Sequence, residues 1–264
     1  VHSLSDLHAM GAKPHSALAM ITVPLASEKI MSETLDQVLS GALEVFRRES
    51  VCLAGGHTTE GDGLSVGFAV NGLLAGECAW VKQGIQAGDS IILTKPLGSG
   101  ILLAGHHQLR SKGQWLESAL PFMLQSNGDA AAVLQQFTVH ACTDVTGFGL
   151  MGHLGEMLRG AQVDVSLELN ALPLFAGALE LSKMGVRSSL YPENLSARHI
   201  IVNLNSVVES ELFPILFDPQ TAGGLLFALP AAQKAPCLEA LSSAGVAASE
   251  LGEAIAGNGE VFWS

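Results

Sequence analysis

Residues 142–153 read Cys-Thr-Asp-Val-Thr-Gly-Phe-Gly-Leu-Met-Gly-His, and this stretch carries the most information about the fold and the function. It places one carboxylate, Asp144, after a short apolar strand predicted over 138–142, and Gly147 and Gly149 then lead into an amphipathic helix. Backbone N–H groups and the dipole at a helix N-terminus favour a phosphate, and a carboxylate can hold a Mg²⁺ that bridges to it. The pattern therefore indicates a phosphate-binding turn. The alternative is a tight strand-to-helix turn in which Asp144 only caps the helix.

Composition narrows the class of protein. The chain has 264 residues, of which 48% are hydrophobic and only 14% charged, so a large core and some apolar surface for a partner subunit are expected. A net charge of −12 argues against nucleic-acid binding, which needs clustered Lys and Arg. No uncharged apolar run is long enough to span a membrane. Four separated cysteines without a C-x-x-C pair predict reduced thiols in a cytoplasmic protein.

Helical and strand patterns alternate along the chain, but several short strands come in pairs. This arrangement favours an α+β fold with mixed sheets over a doubly wound parallel sheet. A polar, glycine-punctuated stretch at 84–89 predicts a boundary between a domain at 1–86 and a domain at 87–264. The pattern predicts a helix over 28–47, a glycine-rich loop at 55–59 and a strand over 163–167, and it leaves 185–212 unassigned.

Five blocks of sequence, spread over nearly the whole chain, resemble one family. They are Leu-Ser-Asp-Leu-His-Ala-Met-Gly-Ala-Lys-Pro at 4–14, Ala-Gly-Gly-His-Thr at 54–58, Leu-Thr-Lys-Pro-Leu-Gly at 93–98, Thr-Asp-Val-Thr-Gly-Phe-Gly-Leu-Met-Gly-His at 143–153 and Asp-Pro-Gln-Thr-Ala-Gly-Gly at 218–224. Together they resemble selenophosphate synthetase (selenide, water dikinase). The first block recurs in related ATP-using enzymes such as thiamine-monophosphate kinase, whereas the last two resemble this family in particular.

The resemblance implies a fold and a reaction. The fold would be the two-domain α+β architecture of aminoimidazole ribonucleotide synthetase, with mixed sheets and helices packed on one face. The N-terminal domain would bind ATP and pair with its copy in a homodimer. The reaction would convert ATP, hydrogen selenide and water into selenophosphate, AMP and phosphate, with Mg²⁺ as the cofactor.

The resemblance also implies site residues. Asp144 matches a Mg²⁺ ligand of the family, and Asp6 stands where related kinases place a metal ligand. Nucleotide contacts are matched by the glycine-rich segment Gly55, Gly56, His57 and Thr58, where a glycine turn would let backbone N–H groups approach phosphate.

Four other polar residues carry competing interpretations. His57 is either a nucleotide contact or an ordinary loop histidine. Lys95 either faces a phosphate or lies in solvent or at the domain interface. Asp218 is expected to brace its turn, and His153 to be a buried core histidine rather than a ligand.

The family's catalytic Cys and Lys have no match in this sequence. The resemblance implies that they lie in a glycine-rich segment ahead of Val1, with further Mg²⁺-binding aspartates. The chain begins without a Met, and we expect it to be part of a longer protein and to be inactive without that segment. Two alternatives are a kinase of the same superfamily for another small substrate, and a non-catalytic nucleotide-binding dimerisation module.

Overall fold

The computed structural model describes residues 1–74, 76 and 79–263. The described helices are α1 (His2–Ala9), α2 (Glu28–Arg48), α3 (Ser99–His107), α4 (Gly113–Leu124), α5 (Gly128–Leu134), α6 (Gly149–Leu158), α7 (Ala178–Lys183), α8 (Tyr191–Asn194), α9 (Leu204–Val207) and α10 (Ala231–Ser243). The described strands are β1 (Ala12–Pro24), β2 (Cys52–Gly61), β3 (Ser65–Leu74), β4 (Asp89–Thr94), β5 (Ala141–Asp144), β6 (Val163–Leu167), β7 (Leu225–Pro230), β8 (Ala248–Ala256) and β9 (Val261–Trp263).

The first sheet has three strands in the order β2-β1-β3, with β1 parallel to β2 and antiparallel to β3. Alternate residues of β1, including Ala19 and Ile21, are buried against α2, as the two-residue period of a strand requires. The residues between them, Leu18 and Met20, are 44% and 65% exposed. One face of this sheet is therefore covered by helices, and apolar side chains remain exposed on the other.

The second sheet has six strands in the order β5-β7-β4-β8-β6-β9, all antiparallel except the pair β6 and β9. Every residue of its central strand β4 is buried. Ile91 and Leu93 belong to a large core on one face, and Ile92 packs with Phe227, α5 and α10 on the other. The predicted α+β fold with mixed sheets is confirmed. The predicted one-sided packing of helices describes the first sheet, whereas the second carries helices on both faces.

Helix α1 connects the two sheets. It packs on β1 and β3 of the first sheet, and also on β5 of the second sheet and on α5, which covers that sheet. The Asn127 amide donates hydrogen bonds to Ser5 Oγ at 2.9 Å and to the Gly223 carbonyl at 2.9 Å, and all three groups lie in the interior. This buried amide fixes α1 against the loop that precedes β7.

Local predictions for several elements are confirmed. The helix predicted over 28–47 is α2, and the strand predicted over 163–167 is β6. The unassigned region 185–212 contains α8, α9 and a 3₁₀ turn at Leu195–Ile200, all too short to give a periodic signal. No helix in the described part of the chain combines the length and the apolar character needed to cross a membrane.

Three of the four cysteines lie within the described residues. Cys142 and Cys237 are buried thiols, whereas Cys52 is exposed on β2. Cys78 lies outside the described residues.

Candidate functional site

Asp144 is the last residue of β5, and its side chain is 6% exposed. None of the described residues donates a hydrogen bond to its carboxylate, and α6 begins at Gly149 with Phe148 as its N-cap and no capping side chain. The interpretation of Asp144 as a helix cap is therefore wrong. A buried carboxylate without donors is costly, so this position favours a cation as its partner.

Asp6 of α1 is brought close to Asp144, although the two are far apart in sequence. Burial raises the pKa of Asp6, and the negative charge of Asp144 raises it further. Among the described residues, no group of three or more His, Cys, Asp or Glu side chains is arranged to hold a metal. Mg²⁺ is commonly held by one or two carboxylates with water and substrate phosphates completing the octahedron, so this pair fits Mg²⁺ bound together with a nucleotide.

Lys95 is 4% exposed, which excludes the alternative that it lies in solvent and leaves the phosphate-facing and domain-interface interpretations. Its ammonium donates to the carbonyl oxygens of Gln125 at 2.8 Å and Ala222 at 3.0 Å, which ties two loops together. Burial lowers the pKa of Lys95 to about 8, and the charge of Asp144 opposes that shift. Its φ of +84° is rare for a residue with a Cβ, and strained backbone of this kind clusters at functional sites. The site thus contains a buried positive charge near Asp144.

The segment Gly55–Thr58 is part of strand β2 and is not the predicted loop. It pairs in parallel with Leu18–Ile21 of β1 at the edge of the first sheet. Gly56 has φ +154°, and a Cβ there would lie 2.0 Å from the Ala19 carbonyl oxygen, so the glycine permits close strand pairing. The two glycines suggested a turn, but pairing with β1 keeps the chain extended.

A surface groove of about 370 Å³ runs along this segment and includes His57 and Thr58 in its lining. Within the described residues, no hydrogen bond or ion pair links the segment to Asp6 or Asp144. The structure therefore brings together the two predicted metal ligands and leaves the predicted nucleotide contacts in a separate groove of the first sheet.

The N-terminus of α3 is closed by two side chains from the loop before β7. Gln220 Oε1 accepts from the N–H groups of Gly98 at 3.0 Å and Ser99 at 3.2 Å, and Asp218 Oδ2 accepts from Ile101 N–H at 3.1 Å. These bonds use donors that could otherwise bind phosphate. Asp218 braces its turn as predicted, and burial raises its pKa to about 7 despite these bonds. Gln220 was missed, although a polar Asp-Pro-Gln-Thr run before an apolar strand was a usable signal.

His153 is a buried core histidine, as predicted. It is 3% exposed, and its Nε2 accepts the backbone N–H of Thr146 at 3.0 Å. It is therefore a support of the turn after Asp144 and does not face the carboxylate pair as a ligand.

Comparison with known proteins identifies the relatives of this chain. The N-terminal domain of AIR synthase related proteins matches residues 1–77, and their C-terminal domain matches residues 86–264. The selenide, water dikinase of Pelobacter propionicus is 36% identical over 255 residues, which cover 96% of this chain and 73% of that protein. Across several such dikinases, the chain spans 65–73% of the relative's length.

Solved structures with the same fold have low sequence identity. Thiamine-monophosphate kinase from Stenotrophomonas maltophilia has a TM-score of 0.72 at 23% identity. The match covers 99% of this chain and 75% of the kinase chain. Hydrogenase maturation protein HypE in complex with ATP has a TM-score of 0.69 at 16% identity. The match covers 99% of this chain and 73% of the HypE chain. These structures support the fold alone, whereas the sequence matches to the dikinases are closer. The chain belongs to the selenide, water dikinase family of AIR synthase related proteins.

Proposed function

We propose that this chain carries the ATP- and Mg²⁺-binding residues of an enzyme that makes selenophosphate. In the overall reaction, ATP, hydrogen selenide and water give selenophosphate, AMP and phosphate. The relatives that are 30–37% identical to this chain are named selenide, water dikinase, and the proposal extends that activity to this chain.

One observation supports the proposal most directly: Asp144 is buried, lacks a hydrogen-bond donor among the described residues, and lies close enough to Asp6 to raise its pKa. Two such carboxylates repel each other in the metal-free chain, and a divalent cation would remove that repulsion. Asp144 and Asp6 would hold Mg²⁺, which would supply charge neutralisation for the phosphates.

Other residues would position the nucleotide. Lys95 places a positive charge near Asp144 and is itself fixed by two carbonyl groups. Phosphoryl transfer depends mainly on positioning and charge stabilisation, which a fixed, buried ammonium can supply. Gly55, Gly56, His57 and Thr58 line an exposed groove that would contact the nucleotide.

A homodimer is part of the proposal. The uncovered face of the first sheet exposes Leu18, Met20 and Leu73, each by more than two fifths. Apolar side chains clustered on one sheet face are typical of a protein–protein interface. A second copy of the chain would cover this face and remove it from water.

The test is an assay of AMP and phosphate release with selenide and, separately, with thiamine monophosphate. Because the chain spans 65–73% of its relatives, the whole reaction is proposed for the chain together with the Cys- and Lys-bearing segment that the resemblance places ahead of Val1. The assay therefore compares this chain with an extended version. Release that depends on selenide supports the proposal, and release with thiamine monophosphate instead identifies another kinase. ATP binding without release by the extended version would identify a non-catalytic module.

A further inference from the structure

His153 is held in one protonation state by its surroundings. Its Nε2 lies 3.0 Å from the Thr146 backbone nitrogen, which can only donate, so Nε2 must be unprotonated. The single ring proton of the neutral imidazole is then on Nδ1. Burial lowers the pKa of His153, which keeps the ring neutral.

Glu156, one turn further along α6, lies near the other ring nitrogen, Nδ1, which is buried and has no hydrogen-bond partner among the described residues. Its Oε2 lies 3.6 Å from His153 Nδ1, which is beyond hydrogen-bond length but close enough to favour a proton there. The same oxygen accepts from Lys82 Nζ at 2.8 Å, and Lys82 belongs to the connection between the two sheets. The chain of contacts therefore runs from that connection through Glu156 and His153 to Thr146.

The turn between Asp144 and α6 is held to the rest of the fold at four backbone positions, one of which is the Gly147 carbonyl, which accepts from Asn194 Nδ2 at 2.7 Å. Val145 N–H donates to the Gly224 carbonyl at 2.9 Å, and the Thr146 carbonyl accepts from Gln220 N–H at 2.9 Å. The remaining position, Thr146 N–H, is held by His153. His153 and Asn194 are the two side chains among these four partners, so His153 can be changed by substitution while Asn194 and the backbone contacts stay.

We propose that His153 is a positioning residue that holds Thr146 and thereby aims the Asp144 carboxylate at the cation. This inference rests on the proposed function, since it assumes that Asp144 binds Mg²⁺ with the nucleotide. His153 does not touch the cation. Its contribution is an acceptor that only a neutral ring in one tautomer can offer.

The experiment compares His153→Gln with His153→Asn. A Gln amide oxygen can reach the place of Nε2 and accept from Thr146, whereas the shorter Asn reaches only the place of Nδ1. His107→Asn, at an exposed histidine on α3, is the matched control. The readouts are Mg²⁺-dependent ATP affinity by calorimetry and the exchange rate of the Thr146 amide hydrogen by NMR.

We expect His153→Asn to weaken Mg²⁺-dependent ATP binding by about 10- to 100-fold, the range found for residues that orient metal ligands. The Thr146 amide should also exchange about tenfold faster or more, since it loses its partner. His153→Gln should stay within about threefold of the wild type in both readouts because it restores the acceptor, and His107→Asn should match the wild type.

The outcomes separate this inference from the proposed function. If the wild-type chain binds ATP with the same affinity with and without Mg²⁺, that result contradicts the proposed function. A wild-type chain that responds to Mg²⁺, with His153→Asn equally responsive, overturns only the role of His153. If His153→Asn does not fold, His153→Gln decides, because a folded Gln variant with lost Mg²⁺ dependence contradicts the acceptor role.

Discussion

Replacing Asp144 with Asn tests the carboxylate pair, since Asn keeps the size of the side chain and removes its charge. Asp144 is 6% exposed, and no described residue donates to its carboxylate. Asp6 is more exposed, and the charge of Asp144 adds to burial in raising its pKa. The metal-free chain therefore carries a repulsion, offset only in part by Lys95, that the substitution removes.

The size of the effect follows from the electrostatics. Two unit charges at roughly 6 Å, the upper end of the range in which neighbours shift a pKa, repel by about 3 kcal/mol at an effective dielectric constant of about 20. Because Asp6 is partly exposed and Lys95 offsets part of the charge of Asp144, at most about 1 kcal/mol of this remains. Asp144→Asn should stabilise the metal-free chain by about that amount. It should also weaken Mg²⁺-dependent ATP binding at least ~10²-fold, or about 2.7 kcal/mol.

Two assays measure these opposite effects. Urea unfolding in EDTA gives the stability of the metal-free chain, and calorimetry with and without Mg²⁺ gives the ATP affinity. Asp36→Asn, at an exposed acid on α2, is the control and should change neither quantity. A variant that loses stability in EDTA, as a lost helix cap would, or that keeps full Mg²⁺-dependent affinity, refutes the reasoning.

Three further predictions concern stability and assembly. Folding raises the pKa of Asp218 to about 7, so between about pH 4 and pH 7 the folded chain keeps a proton that the unfolded chain releases. The free energy of unfolding should therefore fall by up to about 4 kcal/mol as pH rises from about 4 to above 7. Asp218→Asn should make the urea midpoint less dependent on pH over this range. Gly56→Ala should cost about 2–3 kcal/mol in urea unfolding because the new Cβ would meet the Ala19 carbonyl, whereas Gly63→Ala, in open space, should cost less than about 0.5 kcal/mol. Met20→Glu should convert a dimer at micromolar concentration into a monomer in sedimentation, since it charges the uncovered sheet face; a wild-type monomer or a dimeric variant contradicts the proposed interface.

Local patterning was enough to predict most elements of the fold. The apolar spacing of α2 and the alternation of apolar and polar residues in β6 both give periodic signals that tertiary contacts reinforce. The segment Gly55–Thr58 was mispredicted because glycine pairs usually mark turns, while here they permit close pairing of β2 with β1. Propensity was overridden by a contact that lies far away in the sequence.

The site was predicted in part, and its geometry could not be. The glycine-rich turn marked Asp144, but only the docking of α1 across the two sheets brings Asp6 to it. The roles of Lys95 and Gln220 depend on carbonyl and N–H groups in distant loops, which no spacing in the sequence reveals. The position of a polar residue beside an apolar strand therefore indicated that the residue matters, but it did not indicate which groups the side chain contacts.

The most direct test of the carboxylate pair is a crystal of this chain grown with Mn²⁺ in place of Mg²⁺ and a non-hydrolysable ATP analogue. We predict an anomalous scattering peak bonded to oxygens of Asp144 and Asp6 and to the phosphates of the analogue. A nucleotide-bound crystal in which Mn²⁺ is held elsewhere, and both carboxylates remain without metal, would contradict the account.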